Sequence, residues 1–265
     1  ITHPDDLQED LDKVALMRAG KIRGFQMEKR YLHKDGTEIW INMTIAPVHI
    51  ENKTLPLHLC MIEDITERKK TEQTVYQLAY YDLLTQLPNR LLLQDRLTQA
   101  MLAGKRNERY GALIFLDLDN FKSLNDSMGH STGDLLLIEV AARLKTCVRE
   151  IDTVSRFGGD EFVVLLQDMS RDMTEARSQA YLLSEKICNT LAEPYVLNLP
   201  ADATRPAQRM THQCSASVGV ALFLGMEMSE EDVIKRADIA MYRAKAEGRN
   251  RVRFYETPKR QTPSL

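Results

Sequence analysis

The 265 residues carry 35 basic and 38 acidic side chains, a net charge of −3 and 43% hydrophobic residues, which is enough length and apolar content for about two domains with separate cores. A near-neutral, slightly acidic chain has no basic footprint for duplex nucleic acid or anionic lipid, so any nucleotide is bound locally. No apolar run approaches the roughly 20 residues that span a bilayer, and Ile1-Thr2-His3-Pro4 is no signal peptide. The four cysteines, Cys60, Cys147, Cys188 and Cys214, are widely spaced without metal-binding intervals, as expected of reduced core thiols in a cytoplasmic protein. The chain starts without Met, so a fragment of a longer protein is expected, with a membrane segment upstream left open.

Residues 5–19 place Leu7, Leu11, Val14, Ala15 and Met17 at helical spacing before Gly20. Residues 25–32 and 38–45 alternate as strands around Lys34-Asp35-Gly36, a hairpin turn. After a loop from Pro47 to Pro56, residues 57–63 make a third strand, completing half of a small antiparallel sheet. From 67 to 81 the chain is polar and helix-forming, with Val75, Leu78 and Ala79 as its apolar positions. That stretch is either a solvated connector or a dimerising signalling helix.

A helix over 89–103 follows Pro88. Next come a strand at 110–118, a helix around 120–128, a Gly129–Gly133 turn, a long helix to about Arg149, and hairpin strands at 153–157 and 161–167. A helix over 173–191, a strand at 214–223, a helix over 229–247 and a strand at 251–255 complete the pattern. Helices lying on one face of a mixed sheet predict an α+β, palm-like domain. Residues 198–212 are polar and proline-bearing, a surface loop or hairpin insertion, and 257–265 read as a linker-like tail.

Acidic residues gather at two predicted strand ends. The apolar run 111–118 ends in Asp117-Leu118-Asp119, whose alternation puts both aspartates on one face. The hairpin tip Arg156-Phe157-Gly158-Gly159-Asp160-Glu161-Phe162 adds two more carboxylates, which point to opposite faces if the second strand starts there. Either cluster alone fits a solvated turn. Together they form a hard-oxygen site suited to Mg²⁺ with a bound phosphate.

Gly158-Gly159-Asp160-Glu161-Phe162 is accompanied, in order, by Asp82-Leu83-Leu84-Thr85-Gln86-Leu87-Pro88-Asn89-Arg90, Asp117-Leu118-Asp119-Asn120-Phe121-Lys122, Asn125-Asp126, Gly129-His130, Gly133-Asp134, and Ala237-Asp238-Ile239-Ala240-Met241-Tyr242-Arg243-Ala244-Lys245 ending in Gly248-Arg249-Asn250. Over roughly residues 80–255 this resembles the GGDEF family, the diguanylate cyclases. The resemblance implies a palm-like fold of nucleotidyl-cyclase type and condensation of two GTP into cyclic di-GMP and two pyrophosphates, with Mg²⁺ or Mn²⁺, in a homodimer. Asp117, Asp160 and the Leu118 carbonyl match the family's metal ligands. Glu161 matches a residue needed for turnover, on a second metal or near the attacking hydroxyl, and the proton acceptor is Asp160 or Glu161.

The turn Asn120-Phe121-Lys122 offers backbone N–H groups to phosphate, and Lys245 and Arg249, at i and i+4 on the last helix, are expected to share a face toward the triphosphate. Asn125 and Asp134 match the guanine-reading pair, with His130 close by; taken singly, either is a helix cap. Arg149 and Asp152 match the Arg-x-x-Asp site that binds cyclic di-GMP and shuts off turnover, against the plainer reading of an ion pair at a helix end. Gln86 stands where the family usually has Gly, with little effect expected.

His3-Pro4-Asp5-Asp6-Leu7, the Lys34-Asp35-Gly36 turn and Asp64-Ile65-Thr66-Glu67-Arg68-Lys69 resemble the C-terminal half of a PAS sensor domain. His33, His49 and His58 are isolated and carry no ligand role. The expected organisation is a partial PAS domain at 1–66, a linker helix at 67–81, the cyclase domain at 82–256 and a tail. The alternative is a GTP or cyclic di-GMP receptor that does not turn over, feeding a phosphodiesterase domain beyond the C-terminus.

Overall fold

The computed structural model describes residues 1–48, 57–199 and 208–256; most of the Pro47–Pro56 loop with His49, the centre of the 198–212 insertion and the tail from 257 lie outside the described residues. The chain divides into two compact units, Ile1–Gln77 and Leu78–Leu265.

In the first unit, helix α1 (Pro4–Arg18) precedes strands β1 (Phe25–Leu32), β2 (Glu38–Val48) and β3 (Leu57–Asp64), an antiparallel sheet in the order β1-β2-β3. Pro4 starts the helix, where its missing N–H costs nothing, and His3 Nδ1 accepts from the Asp5 N–H. Charge pins α1 to β1. Arg30 forks onto Asp6 through Nε and Nη2 at 3.0 and 2.8 Å, and Lys29, 2% exposed, meets Asp10 at 2.5 Å. Met27, Ile41 and Met43 form a small core, while Leu59, Met61 and Ile62 of β3 are exposed. The expected loop from Pro47 begins later: β2 runs through Val48. Its register with β1 ends at Ile45, so Pro47 lies beyond that ladder and faces His58 of β3 alone. Helix α2 (Thr66–Tyr80) buries none of its residues and crosses the division between the units.

The second unit runs α3 (Arg90–Asn107), β4 (Tyr110–Leu118), α4 (Phe121–Met128), α5 (His130–Cys147), β5 (Thr153–Gly158), β6 (Glu161–Leu166), α6 (Met173–Ala192), β7 (Tyr195–Leu199), β8 (Gln208–His212), β9 (Ala216–Leu224), α7 (Glu230–Ala246) and β10 (Arg251–Phe254). Five strands form one sheet in the order β10-β9-β4-β6-β5, with β10 parallel to β9 and the other pairs antiparallel. β7 and β8 pair as a separate hairpin.

The helices do not lie on one face, as the sequence pattern suggests, but on both. Along β4, Ala112, Ile114, Leu116 and Leu118 enter a core built with α4, α5 and α6, whereas Leu113 and Phe115 enter a second core built with α3 and α7. A strand covered on both sides is apolar at every position, which is why 111–116 shows no alternation. The fold is an α+β palm with a mixed central sheet, and its acidic residues gather where β4 ends, β6 begins and α7 finishes.

Candidate active site

The signature turn depends on one glycine. Gly158 pairs with Glu161, leaving Gly159 and Asp160 as the two turn residues, and Gly159 adopts φ +53°, open to glycine at little steric cost. A bulge between Arg156 and Gly158 sets that register, and the displaced Phe157 packs edge-on against Phe115 at 5.2 Å. Asp160 is therefore a turn residue, exempt from the strand alternation that would have sent it away from Glu161. Its carbonyl accepts from the Leu118 N–H at 3.3 Å, joining the hairpin tip to the end of β4.

Asp117 and Glu161 are register partners on adjacent antiparallel strands, so their side chains stand on the same face. Burial pushes the Asp117 carboxyl upward, and the charges of Asp160 and Asp119 add to this against the opposing pull of Lys245. Burial also raises Glu161, followed by the charges of Asp117, Asp238 and Asp160. Lys245 Nζ lies 2.6 Å from Asp117 Oδ2. This is a hard-oxygen donor set with more negative charge than its one ammonium offsets, and it fits a divalent cation. Among the described residues no three acidic, His or Cys side chains form a metal cage; Mg²⁺ is commonly held by one or two carboxylates plus phosphate oxygens.

Asp119, one residue past β4, is not an open carboxylate. Its Oδ1 accepts from Ser217 Oγ at 2.7 Å, and its Oδ2 from Ser215 Oγ at 2.6 Å and the Asn250 N–H at 3.1 Å. It locks the turn after α7 onto the head of β9. That turn corrects the placement of Arg249: α7 ends at Ala246, and Arg249 sits beyond it in a left-handed conformation, φ +62°, with its N–H on Ala244 O. Lys245 and Arg249 share no helix face; Asp119, through Asn250, fixes where Arg249 stands.

Asn120 is also left-handed, φ +62°, and caps α4 without a side-chain bond. The following N–H groups of Phe121 and Lys122 open the helix, where no intrahelical carbonyl precedes them. Phe121 is buried and Lys122 exposed.

Asn125, in the last turn of α4, buries an Oδ1 with no hydrogen-bond partner among the described residues. It lies against Gly133, where a Cβ would run into that oxygen. Asp134 follows Gly133 in the chain. The Gly129–Gly133 segment is not a turn throughout: α5 starts at His130, capped by Gly129, and Asp134 is inside the helix rather than its cap. His130 and Asp134 are both exposed.

Arg149 and Asp152 form an ion pair at 3.2 Å. The buried Asp152 also accepts from the Arg149 and Gln167 N–H groups, while Arg149 keeps 60% of its side chain exposed beside a cavity of about 700 Å³ that Arg109 and Arg171 also line. Six strand residues at about 3.3 Å each put this pair roughly 20 Å from the signature turn.

Two residues escaped the sequence reading. Asp238 of α7 adds its charge to Glu161; it precedes Lys245 by about two helical turns, a spacing that could have flagged it. Arg156 carries a clamp, with Nε and Nη2 at 3.0 and 2.7 Å from the Gly159 carbonyl, and no local pattern announces it.

Residues 79–251 match the family described as diguanylate cyclase, GGDEF domain, and residues 2–67 match the PAS domain. The bifunctional diguanylate cyclase/cyclic di-GMP phosphodiesterase MucR of Pseudomonas aeruginosa is 42% identical over 192 residues, 72% of this chain and 26% of MucR. Diguanylate cyclase DgcM of Escherichia coli is 34% identical over 224 residues, 84% of this chain and 50% of DgcM. Thus the chain spans between about a quarter and a half of these relatives. The crystal structure of the coiled coil and GGDEF domain of DgcB from Caulobacter crescentus in complex with c-di-GMP superposes with a TM-score of 0.60 at 27% identity, covering 72% of this chain and 93% of that one. No helix among the described residues is long and apolar enough to cross a membrane. With a family match over most of its length and the signature turn set against Asp117, this chain belongs to the GGDEF diguanylate cyclase family.

Proposed function

We propose that this chain condenses two GTP into cyclic di-GMP and two pyrophosphates, as a Mg²⁺-dependent homodimer under the control of its PAS unit. The observation that carries the reading is the pairing of buried Asp117 with Glu161 across β4 and β6, beside Asp160. Asp117, Asp160 and the Leu118 carbonyl would hold the ion, with Mn²⁺ an alternative of similar hardness. When bound, the ion neutralises phosphate charge and polarises the attacked α-phosphorus.

The chain's own groups do the rest. Asn120, Phe121 and Lys122 present N–H groups to the phosphates, and Lys245 and Arg249 supply cationic donors. Asn125 and Asp134 read the guanine edge, its N–H donors against a carboxylate and its O6 against an amide, with His130 at the rim. Glu161 takes the proton of the attacking 3′-hydroxyl or holds a second ion, and counting Mn²⁺ bound to wild type and to Glu161→Gln separates the two. Each site holds one GTP, so bond formation needs two sites face to face. Arg149 and Asp152, remote from the carboxylates, bind the product and slow turnover.

Incubation with GTP and Mg²⁺ followed by chromatography tests the proposal: cyclic di-GMP and pyrophosphate in a 1:2 ratio support it, and unchanged GTP contradicts it. A receptor that binds without turnover is the second reading, prompted by the phosphodiesterase in MucR's name; bound nucleotide without product would favour it.

A further inference from the structure

Lys245 stands in the last turn of α7 with its Nζ 2.6 Å from Asp117 Oδ2, the two side chains being 28% and 10% exposed. No other cation pairs with Asp117, Asp160, Glu161 or Asp238 among the described residues. The buried Asp117 charge needs a partner, and Lys245 is that partner.

Under the function proposed above, however, Asp117 holds a divalent ion and Lys245 binds the triphosphate. The two contacts compete. An ion bound about 2 Å from the same carboxylate oxygen would stand within roughly 5 Å of the ammonium, a strong repulsion in a pocket this shielded. The lysine has somewhere to go, because its four-carbon stem is flexible and its head is partly open to solvent.

We propose that Lys245 is a displaceable resident cation: it neutralises Asp117 until a divalent ion takes its place, then turns to the triphosphate, so that metal and nucleotide load cooperatively. Nucleotide that attracts the ammonium uncovers Asp117 for the ion, and an ion on Asp117 frees the ammonium for nucleotide. By linkage the two effects share one coupling factor. Arg249 plays no such part; its turn is tied to Asp119 through Asn250, and no carboxylate among the described residues pairs with it. The inference rests on the proposed metal site.

The test measures Mn²⁺ binding to the full chain by the electron paramagnetic resonance of the free ion, with and without 3′-deoxy-GTP, which lacks the attacking hydroxyl, each nucleotide titration being corrected by a protein-free control for the Mn²⁺ that the triphosphate itself chelates. Lys245→Met should bind Mn²⁺ alone about tenfold more tightly than wild type and lose most of the tightening that nucleotide brings. Lys245→Arg should stay near wild type, and Arg249→Met should weaken nucleotide binding while leaving the affinity for Mn²⁺ alone unchanged. Lys245→Gln replaces Lys245→Met if the latter fails to fold. Equal or weaker Mn²⁺ binding by the neutral variant overturns the inference. Mn²⁺ binding that survives Asp117→Asn, or is absent from every protein even with nucleotide, overturns the metal site itself and the inference with it.

Discussion

Arg156 holds the Asp82 carboxylate through Nη1, 3.1 Å from each oxygen, while the rest of its guanidinium holds the Gly159 carbonyl. One side chain thus joins the segment entering the second unit to the signature turn. Asp82→Ala should cost about 2 kcal/mol of stability, since it strands a largely buried guanidinium, and should lower turnover through the loosened turn. Burial alone pushes the Asp82 carboxyl up, but the Thr85 hydroxyl and N–H and then Arg156 outweigh it and hold it below its ordinary value. A depressed carboxyl supplies stability that is present above the unfolded-state value and lost as pH falls through the folded one. The gap between the melts of variant and wild type should therefore be widest at pH 6 and narrow as pH falls below 3.8.

Glu161 has the opposite sign. Burial and the neighbouring Asp117, Asp238 and Asp160 raise its carboxyl, so its contribution is most favourable below the ordinary value of 4.5 and is lost as pH rises through the raised one. Without divalent ion, Glu161→Gln should melt about 2 °C above wild type at pH 8 and level with it at pH 4. No gain at pH 8 would mean that the carboxylates do not repel as described.

Gly133 leaves room for the Asn125 amide. Gly133→Ala must move that amide, so the KM for GTP should rise about tenfold with a smaller change in kcat. Steady-state kinetics with GTP at saturating Mg²⁺ measure this, and an unchanged KM would remove Asn125 from guanine recognition.

Gln86 occupies a left-handed conformation, φ +55°, at the position where glycine is usual in the family, and its side chain donates to Leu83 O at 2.8 Å. The strain makes the substitution more than incidental. Gln86→Gly should stabilise the chain by about 0.5 kcal/mol, the steric relief exceeding the lost bond and the added chain entropy. Chemical denaturation measures it.

What was legible in the sequence was local. The tight turn at the glycine pair, the apolar run before Asp117 and the helix start after Asn120 follow from neighbouring residues. Two-sided burial of β4 was not legible, because an unbroken apolar run names no face. Arg249 looked helical because its spacing from Lys245 is helical, yet Gly248 ends the helix and Asp119, 131 residues before Asn250, sets the turn. Asp119, expected on one face with Asp117, is a lock, because a buried carboxylate takes whichever partners surround it, and here Ser215, Ser217 and Asn250 do. The Arg156 clamp spans 74 residues and could come only from coordinates.

Under the proposed function, Asp117, Asp160 and Glu161 form one reaction centre acting on GTP. Pyrophosphate release from GTP and Mg²⁺ by wild type and Glu161→Gln, matched for circular dichroism, tests it most directly. A shared reaction centre requires a loss of at least about 100-fold in the variant; a variant within twofold of wild type would take Glu161 out of it.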